Sequence, residues 1–524
     1  MLGSVGKTAS EVERFLADPA SYDPPPESVS VHETHGAMVF LAGDDAWKIK
    51  KPVSFPYMDF STLEKRQKVC LREYHLNKPA APELYQGLVP ITRETNSTLA
   101  IGGSGEVVEW ALHMRRFSQD ALLENVIARG GGTKPLLDGL AQVISAYHSE
   151  APKAHNVDHE AMMRTITVEL VTAFKPHTEI LAGLHPEEFE ERIQNQLKNA
   201  GYCLKMRAER GLVRRCHGDL HLTNIIVQDG NPILFDALEF SEEFATIDVL
   251  YDLAFLLMDL DQRGERDAAN YLLNRYLQIA NDPANLIALK ALPLFLACRS
   301  GILAMIALNR IDQLSPEDKN AIAYAKGDAR RYFAGAMDYL QPPTPFLIAT
   351  GGFSGTGKST LAASLSGVVE SVIGGLHIRS DVERKAMFDV AETVRLAPEH
   401  YSDDVTARVY DVLFQKARIA LKAGHTVVVD AVFSCALRRA AIEQVAKDLG
   451  CGFAGFWLAA PEEILSARVL KRHDDASDAT PDVVHRQVSQ GTGPISWNLV
   501  DAGGSKEEAF AQARKTLKNA FLGR

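Results

Sequence analysis

Residues 352–359 read Gly352-Phe353-Ser354-Gly355-Thr356-Gly357-Lys358-Ser359 and fit the pattern G-x-x-x-x-G-K-[ST]. The apolar run Phe346–Thr350 precedes them like a strand, and Thr360–Leu365 follows like the start of a helix. A strand, a glycine-rich turn and a helix N-terminus together direct backbone N–H groups at phosphate oxygens. We therefore predict a nucleotide site from Gly352 to Thr360, in which Lys358 reaches the β- and γ-phosphates and Ser359 binds Mg²⁺. A glycine-rich turn that fits the pattern by accident would not need both flanks.

After residue 345 the sequence alternates between strand-like and helical stretches. The strand-like runs are Phe346–Thr350, His377–Arg379, Thr426–Asp430 and Phe453–Ala459. This alternation predicts a parallel sheet with helices on both faces, the α/β fold of a P-loop NTPase domain, over residues 346–524. The preceding Gln341-Pro342-Pro343-Thr344-Pro345 can neither continue a helix nor join a central strand, so 341–345 is predicted to be a linker.

Before the linker the pattern is that of an α+β domain. Strands are predicted at Val29–Thr34, Met38–Leu41, Ala46–Val53 and Val107–Phe117, and a helix at Thr62–Asn77. From Ser118 to Leu340 the pattern is helical, except for a polar loop and two short strands between residues 215 and 236. We predict an N-terminal extension over 1–30 and one domain over 31–340, with a sheet lobe at 31–117 and a helical lobe at 118–340.

The composition is that of an ordinary globular protein, with 46% hydrophobic and 23% charged residues. Residues 1–16 do not have the pattern of a signal peptide, and the six cysteines show no C-x-x-C spacing, which fits a reducing compartment. The most apolar run, Leu286–Leu308, is broken by Lys290, Pro293 and Arg299, so we predict a buried helix pair rather than a membrane span. We expect a cytoplasmic chain with no membrane partner.

The net charge of −11 lies entirely before the linker. From Phe346 onward there are 21 basic and 21 acidic residues, against 35 basic and 46 acidic residues before it. A broad nucleic-acid-binding face needs a basic footprint, so we expect none in the first two-thirds of the chain. The balanced charge after residue 345 argues against long tracts of nucleic acid, whereas a nucleotide or a strand end stays open as a partner.

A polar loop before the linker carries a first set of chemical groups. It reads His217-Gly218-Asp219-Leu220-His221-Leu222-Thr223-Asn224, and Asp236 follows at the end of a short strand. Phosphoryl transfer to a hydroxyl needs a carboxylate that accepts the proton, and Mg²⁺ needs oxygen ligands. We predict Asp219 as the catalytic base and Asn224 and Asp236 as the metal ligands. A helix cap at Asp219 would not need the other two residues at these offsets.

This loop, with Leu234–Glu239 (LFDALE) and Tyr251–Ala254 (YDLA), resembles the aminoglycoside phosphotransferases and choline kinases, relatives of the protein kinases. The resemblance implies a bilobal, protein-kinase-like fold. It also implies that Lys48 clamps the α- and β-phosphates of ATP and that Glu73 is its ion-pair partner. Because Lys50 lies on the same strand face, either lysine can have this role, and a solvated edge strand is the further alternative. No glycine-rich loop precedes them; only His35-Gly36 marks the turn.

A second set of groups follows the glycine-rich turn. Asp381 lies at the carboxyl end of a predicted parallel strand, where ligands bind in such sheets. Here the chain resembles polynucleotide 5′-kinases and zeta-toxin-like kinases, whose D-x-x-R pair corresponds to Asp381 and Arg384. The resemblance implies that Asp381 takes the proton of an acceptor hydroxyl and that Arg384 holds an anionic group of that acceptor. A helix cap is the alternative for Asp381.

Two further segments extend this second resemblance. Val427–Asp430 resembles a Walker B strand, which implies that Asp430 reaches the Mg²⁺ shell through water. Residues 467–472 resemble a lid helix, which implies that Arg468 and Arg472 stabilise the transferred phosphoryl group. A basic helix face in water is the alternative for the two arginines.

The order of the two halves resembles bacterial proteins that fuse an aminoglycoside-phosphotransferase-like domain to an AAA-type or zeta-like ATP-binding domain. The leading interpretation is an ATP- and Mg²⁺-dependent phosphotransferase with two nucleotide sites and small-molecule acceptors that carry a hydroxyl. In one alternative the first domain is a non-catalytic ligand-binding module that regulates the second. In another the second domain acts on nucleotides or nucleic-acid 5′ ends.

Overall fold

The structure is a computed structural model that describes residues 10–34, 36–55, 58–471 and 475–522. The helices are, in chain order, α1 (Glu11–Ala17), α2 (Leu63–Asn77), α3 (Leu123–Ala128), α4 (Lys134–Glu150), α5 (His159–Phe174), α6 (Pro186–Glu209), α7 (Glu242–Ala245), α8 (Val249–Gln262), α9 (Arg266–Ala280), α10 (Pro283–Ala288), α11 (Leu292–Gln313), α12 (Lys319–Tyr339), α13 (Lys358–Val368), α14 (Ser380–Ala386), α15 (Asp403–Lys422), α16 (Ala436–Leu449), α17 (Glu462–Leu470), α18 (Pro481–Gln490) and α19 (Lys506–Leu522).

The strands are, in chain order, β1 (Val29–Glu33), β2 (Ala37–Ala42), β3 (Asp45–Lys50), β4 (Ser54–Phe55), β5 (Met58–Asp59), β6 (Tyr85–Arg93), β7 (Leu99–Ile101), β8 (Glu106–Arg115), β9 (Val213–Arg215), β10 (Ile225–Gln228), β11 (Asn231–Leu234), β12 (Thr246–Asp248), β13 (Phe346–Gly352), β14 (Leu376–Arg379), β15 (Val427–Asp430), β16 (Gly452–Ala459) and β17 (Asn498–Asp501). Contacts divide the chain into two compact units, residues 1–157 with 211–256 and residues 158–210 with 257–524.

These units differ from the predicted domains, because the helical segments 158–210 and 257–340 group with the P-loop sheet. The boundaries at 31–340 and 346–524 stay a prediction. Residues 342–345 form neither helix nor strand, as expected of a proline-rich segment.

The first unit contains an antiparallel sheet in the order β1-β2-β3-β8-β6-β7. The predicted strands within it are confirmed at β1, β2, β3 and β8. Strand β6 was not predicted, because Gly87 and Pro90 argue against a strand in the sequence YQGLVPITR. Strand β7 pairs only with Ile91–Arg93, so β6 has one neighbour at Pro90 and tolerates the missing N–H there.

The first unit also contains the β10–β11 hairpin. Gln228 pairs with Asn231, and the two loop residues Asp229 and Gly230 both have positive φ, 51° and 79°. This is the backbone of a type I′ turn, whose twist matches that of the strands. The hairpin therefore fixes which residues before β10 and after β11 are neighbours.

The helical part of the second unit packs around α11 and α12. Phe174, Phe189 and Phe333 form an aromatic cluster there, with ring centroids 4.9 to 5.5 Å apart. In the described part of the chain, α11 alone has the length and apolar composition of a membrane span, but 72% of its most apolar stretch is buried inside the protein. The sequence prediction of a buried helix in this run agrees with that burial.

The remaining part of the second unit is a parallel five-stranded sheet in the order β14-β15-β13-β16-β17. The predicted α/β fold with a parallel sheet is confirmed. The central strands β13 and β15 are fully buried, as their unbroken apolar sequences suggest. The polar edge strand β17 was not predicted, because Asn498–Asp501 has only one buried residue. Because β13, β14 and β15 are parallel, their carboxyl ends lie at the same edge of the sheet, where ligands bind in such folds.

Candidate active sites

Lys48, Glu73 and Asp236 meet in the first unit. Lys48 lies on β3 and is 12% exposed; its Nζ is 2.7 Å from Glu73 Oε1 on α2 and 2.6 Å from Asp236 Oδ1 after β11. Burial lowers the pKa of Lys48, but Asp236 and Glu73 outweigh it and raise the pKa well above its ordinary value. The lysine is therefore a permanent cation that already contacts the carboxylate predicted to bind the metal.

Lys50 lies on the same face of β3 but has different partners. Its Nζ is 2.6 Å from Glu73 Oε2 and 2.5 Å from Glu239 Oε1, and only 3% of its side chain is exposed. Glu73 thus bridges both lysines, one through each carboxylate oxygen. Because Lys48 and not Lys50 contacts Asp236, Lys48 is the better candidate for the phosphate-binding lysine. The solvated edge-strand alternative does not fit lysines that are this buried and this fully paired.

Helix α2 turns an unusual polar stripe inward. Arg66, Cys70, Glu73 and Asn77, spaced by three or four residues, are all buried. Arg66 pairs with Glu109 at 2.8 Å, and Asn77 Oδ1 accepts a hydrogen bond from Ala237 N at 2.8 Å. Helix α2 is thereby held by contacts at Arg66 near its start and Asn77 at its end, and between them Glu73 contacts the two lysines.

The predicted catalytic loop brings Asp219, His221 and Asn224 together. Asn224 Nδ2 donates to Asp219 Oδ2 at 3.0 Å, and His221 Nε2 is 3.3 Å from the same oxygen. Asn224 Oδ1 has no hydrogen bond among the residues described, so it is available to a cation. The Asp219 carboxylate remains partly exposed, as a base that must meet an acceptor requires.

Asp252, at the start of α8, holds the backbone of this loop. Its carboxylate accepts hydrogen bonds from His217 N at 3.1 Å and Gly218 N at 2.9 Å, and His148 Nε2 lies 3.1 Å away. Gly218 has a φ of 83°, and a Cβ there would lie 3.0 Å from Ala245 Cβ, so glycine is required. Burial lowers the pKa of His217, which favours the neutral ring, and its Nε2 lies 2.9 Å from Phe235 O.

The β10–β11 hairpin makes Asn224 and Asp236 neighbours. Asn224 precedes β10, Asp236 follows β11, and Phe235 N donates to Asn224 O at 3.1 Å. Asp236 has a φ of 59°, and its N–H donates to Tyr85 Oη at 3.0 Å. An amide oxygen and a carboxylate side by side at a hairpin end are ligands that Mg²⁺ accepts, so the residues present fit a metal ion.

The glycine-rich turn of the second unit has the geometry of a phosphate-binding loop. Gly352, Gly355 and Gly357 have φ values of 151°, 90° and 83°. A Cβ would lie 2.7 Å from Thr356 Oγ1 at Gly352 and 2.6 Å from Leu465 O at Gly355, so the loop has no room for side chains there. Helix α13 begins at Lys358, immediately after the loop. Backbone N–H groups at the start of a helix are unpaired within it and suit an anion.

Lys358 is 5% exposed, and no ion pair or hydrogen bond is found for its ammonium group among the residues that the structure describes. A buried cation without a partner is costly, so this lysine fits an anionic ligand such as a triphosphate. Two residues of the turn are held by hydrogen bonds: Ser354 N donates to Gln487 Oε1 on α18 at 2.8 Å, and Thr356 Oγ1 donates to Phe353 O at 2.8 Å. Ser359 and Thr360 lie in the first turn of α13.

Asp430, at the end of β15, lies opposite Thr350 and Arg379 in the sheet register. Its Oδ1 is buried and has no hydrogen-bond partner among the described residues, which leaves it available to a water of a metal shell. Its Oδ2 lies 3.8 Å from His377 Nε2 and 3.9 Å from Arg379 Nε. Burial raises the pKa of Asp430, but the nearby His377 ring and the charges of Lys358 and Arg379 outweigh it, so the pKa lies below its ordinary value.

The predicted acceptor residues occupy the first two turns of α14. Asp381 is half-buried in the first turn, and no hydrogen bond is found for its carboxylate within the described chain. Arg384 is buried: its guanidinium donates to His400 O at 2.8 Å and Thr406 Oγ1 at 3.3 Å, and it stacks on Tyr401 at 4.8 Å. Within the part of the chain that the structure describes, its Nε alone lacks a partner, so its predicted role with an acceptor anion stays a prediction.

Of the two predicted lid arginines, Arg468 and Arg472, the structure describes only Arg468. Arg468 on α17 donates to Ala502 O at 2.6 Å and Gly504 O at 2.9 Å, so its guanidinium has backbone partners in this structure. Arg472 lies outside the described residues. The phosphoryl-stabilising role of both stays a prediction.

Sequence reasoning assigned no role to His221, Glu239 and Arg379, although each contacts a predicted site residue. His221 and Arg379 each lie two residues from a predicted site residue, Asp219 and Asp381, so the sequence itself could have indicated that they belong to the sites. Glu239 could be linked to Lys50 only through the tertiary fold, because 189 positions separate them.

Two family models match the chain. One described as "Phosphotransferase enzyme family" matches residues 132–289, and one described as "AAA domain" matches residues 347–494. The predicted family resemblance of both halves and the predicted fold classes, protein-kinase-like and P-loop, are thereby confirmed.

Two relatives match most of the chain, and solved structures match parts of it. "Uncharacterized protein Rv2004c" of Mycobacterium tuberculosis (strain H37Rv) is 30% identical over 503 residues, which are 94% of this chain and 96% of the relative. "Uncharacterized protein Mb2027c" of Mycobacterium bovis gives the same values. A choline/ethanolamine kinase family protein from Mesorhizobium loti is 15% identical, with 62% of this chain and 98% of that chain covered and a TM-score of 0.35. A putative kinase from Chloroflexus aurantiacus is 19% identical, with 34% and 99% covered and a TM-score of 0.29.

Proposed function

The chain belongs to the family that includes the mycobacterial proteins Rv2004c and Mb2027c, and we propose that it is an ATP- and Mg²⁺-dependent phosphotransferase with two catalytic sites. The observation that carries the proposal is the same pairing in both units. A largely buried lysine lies near a carboxylate suited to a metal: Lys48 contacts Asp236, and the charge of Lys358 lowers the pKa of Asp430. Phosphoryl transfer needs this combination and little further covalent chemistry from the protein.

In the first site the residues have separable tasks. Lys48 binds the α- and β-phosphates, Glu73 orients Lys48, and Asn224 and Asp236 hold Mg²⁺. When bound, Mg²⁺ neutralises the charge that develops on the phosphate oxygens. Asp219 accepts the proton of the acceptor hydroxyl, and the hydrogen bond from Asn224 to Asp219 Oδ2 orients its carboxylate.

In the second site the P-loop supplies the phosphate contacts. Backbone N–H groups of residues 355–359 and Lys358 bind the triphosphate, and Ser359 with Asp430 holds the metal and its water. Asp381 accepts the proton of the second acceptor. Its free carboxylate in the first turn of α14, after the carboxyl end of β14, supports this assignment.

We further propose that both acceptors are small molecules that carry a hydroxyl group, and that the chain acts in the cytoplasm without a membrane partner. The acidic surplus of the first two-thirds and the balanced charge of the remainder support a small acceptor over long nucleic acid.

The test is transfer of radiolabelled phosphate from ATP into a metabolite extract by the wild type, Asp219→Ala and Lys358→Ala. We expect each variant to lose a different set of labelled products. Asp120→Ala and Lys506→Ala, both at exposed side chains, are the matched controls and should keep all products. If Asp219→Ala changes no product while Lys358→Ala abolishes all of them, the first unit is a binding module and not an enzyme. If neither variant differs from the wild type, the proposed function is wrong.

A further inference from the structure

Strand β14 is an edge strand of the P-loop sheet. Among the described strands it pairs only with β15, and Leu376 N donates to Thr426 O on that side at 2.8 Å. Backbone groups alternate along a strand, so Gly375 O and His377 N face the opposite, open side. Unpaired groups on an edge strand need a cover.

The side chain of Asn274, on helix α9, covers this edge. Its Nδ2 donates to Gly375 O at 3.1 Å, and its Oδ1 accepts from His377 N at 2.7 Å. A side-chain amide thus makes the two hydrogen bonds that the peptide group of a neighbouring strand would make. The start of β14 is therefore paired on both sides, with β15 on one and α9 on the other.

Asn270, one turn earlier on α9, holds the turn that leads into β14. Its Nδ2 donates to Ile373 O at 2.7 Å and Gly375 O at 3.0 Å, and its Oδ1 accepts from Ser366 Oγ at 3.1 Å. All three bonds are buried. Gly374 has a φ of 74°, and a Cβ there would lie 2.6 Å from Asn270 Nδ2, so the close approach of α9 requires glycine.

Helix α9 also contacts the P-loop helix α13. A Cβ at Gly367, near the end of α13, would lie 2.5 Å from Asp267 Oδ1, and Ser366 on α13 bonds Asn270. Arg266 donates to Ser371 O, and Arg275 pairs with Glu392 at 2.6 Å. Helix α9 is thus bonded to α13, to the segment after it and to β14, the elements that frame the second site.

The other end of β14 carries chemistry of the second site. Arg379 Nε lies 3.9 Å from Asp430 Oδ2, and its Nη2 is 3.2 Å from Asp475 Oδ1. Asp381, the predicted base, follows two residues later. A shift of β14 along β15 would move both residues relative to Asp430, because strand register sets all side-chain positions together.

We propose that Asn270 and Asn274 are positioning residues of the P-loop site. Through them α9 fixes the register of β14, and thereby the positions of Arg379 and Asp381 relative to Asp430. Helix α9 lies within the residues matched by the phosphotransferase family model, 132–289, and outside those matched by the AAA domain model, 347–494. The second site is therefore completed by a helix that precedes the segment 341–345 in the sequence. This inference rests on the proposed function for its activity readout but not for its structural readout.

The test uses the full chain with two variants. Asn270→Asp replaces the amide group that donates to Ile373 O and Gly375 O by a carboxylate oxygen, and Asn274→Leu removes both hydrogen bonds between this side chain and β14. Hydrogen exchange of residues 376–386 should accelerate about 10- to 100-fold, since each variant loses two hydrogen bonds to the backbone before or within β14. Exchange at 213–228, in the other unit, should not change. Asn285→Asp is the matched control: Asn285 is also buried on a neighbouring helix, but its Oδ1 accepts from Arg207 at 3.0 Å.

The activity readout separates positioning from loss of fold. We expect transfer that depends on Lys358 to fall about 10- to 100-fold in both variants, while ATP affinity of that site stays within about two-fold, because the P-loop itself is unchanged. Equal exchange at 376–386 in the variants and the wild type would overturn the inference, as would equal loss of ATP binding and turnover. Wild-type protein that shows no Lys358-dependent transfer would contradict the proposed function, whereas the exchange result would still decide the role of α9.

Discussion

Lys48 Nζ lies 2.6 Å from Asp236 Oδ1, so the cation assigned to the nucleotide phosphates and a carboxylate assigned to the metal form an ion pair. If the proposed function is right, we expect a bound nucleotide to draw Lys48 toward its phosphates, which would make Asp236 available to Mg²⁺. The negative charge of Glu73 stays neutralised when Lys48 moves, because Lys50 Nζ lies 2.6 Å from the other carboxylate oxygen of Glu73. The two lysines therefore have different tasks, one exchangeable and one structural.

The different tasks can be separated by substitution. Lys48→Met should lower transfer at the first site by at least about 100-fold, because an oriented phosphate-binding cation is lost. Lys50→Met should instead lower the free energy of unfolding by about 3–5 kcal/mol, because it leaves Glu239 and part of Glu73 as unpaired buried charges. Urea unfolding and phosphate transfer measure the two effects. Lys51→Met, at the next residue, is the control and should change neither. A larger stability loss in Lys48→Met than in Lys50→Met would contradict this division.

Asp252→Ala should disable the first site without touching its predicted ligands. The substitution leaves His217 N and Gly218 N buried without an acceptor, at about 1–3 kcal/mol each. The catalytic loop should lose its fixed conformation, and transfer that depends on Asp219 should fall by more than about 100-fold. Lys358-dependent transfer in the same sample is the internal control. Equal losses at both sites would mean that the variant is globally unfolded and that the loop explanation is wrong.

The sequence predicted best what is local. The P-loop lies in one strand–turn–helix segment, and Asp219 and Asn224 lie in one loop, so spacing alone was informative. Strand β6 was not predicted because glycine and proline are rare inside strands. Gly87 and Pro90 lie in the part of β6 that does not pair with β7, and the sequence does not reveal that arrangement. The Lys50–Glu239 pair and the cover of β14 by Asn274 join residues about 100 to 190 positions apart, and no local pattern encodes such contacts.

Stability of the second unit should depend on pH through His425. Burial, and then the charge of Arg266, lower the pKa of His425 to about 4. The unfolded chain binds a proton near pH 6.5, so this contribution is complete above about pH 6.5 and is lost as the pH falls toward 4. We expect His425→Asn to reduce the stability loss between pH 7 and 5 by about 2 kcal/mol. His485→Asn, at an exposed ring, should keep the wild-type pH dependence. An unchanged pH dependence in His425→Asn would assign the acid sensitivity to other groups.

Lys358→Met should make the protein more stable and inactive at the second site. The wild-type lysine is buried without an ion pair in the described part of the chain, and a methionine of similar shape removes that cost. We expect this gain to exceed the loss of the attraction between Lys358 and the buried Asp430 carboxylate. We expect the free energy of unfolding of the ligand-free protein to rise by about 1 kcal/mol, as at other sites where function opposes stability. Saturating ATP and Mg²⁺ should reverse the order, because ligand at about 100 times its Kd stabilises a binding-competent protein by about 2.7 kcal/mol. Because the proposed function assigns ATP to the first site as well, both proteins carry Lys48→Met in this experiment. Lys506→Met, at an exposed position, should respond to ATP like the parent. If Lys358→Met were less stable without ligand, the lysine would have a structural partner, and the P-loop would not be held ready for an anion in the way proposed here.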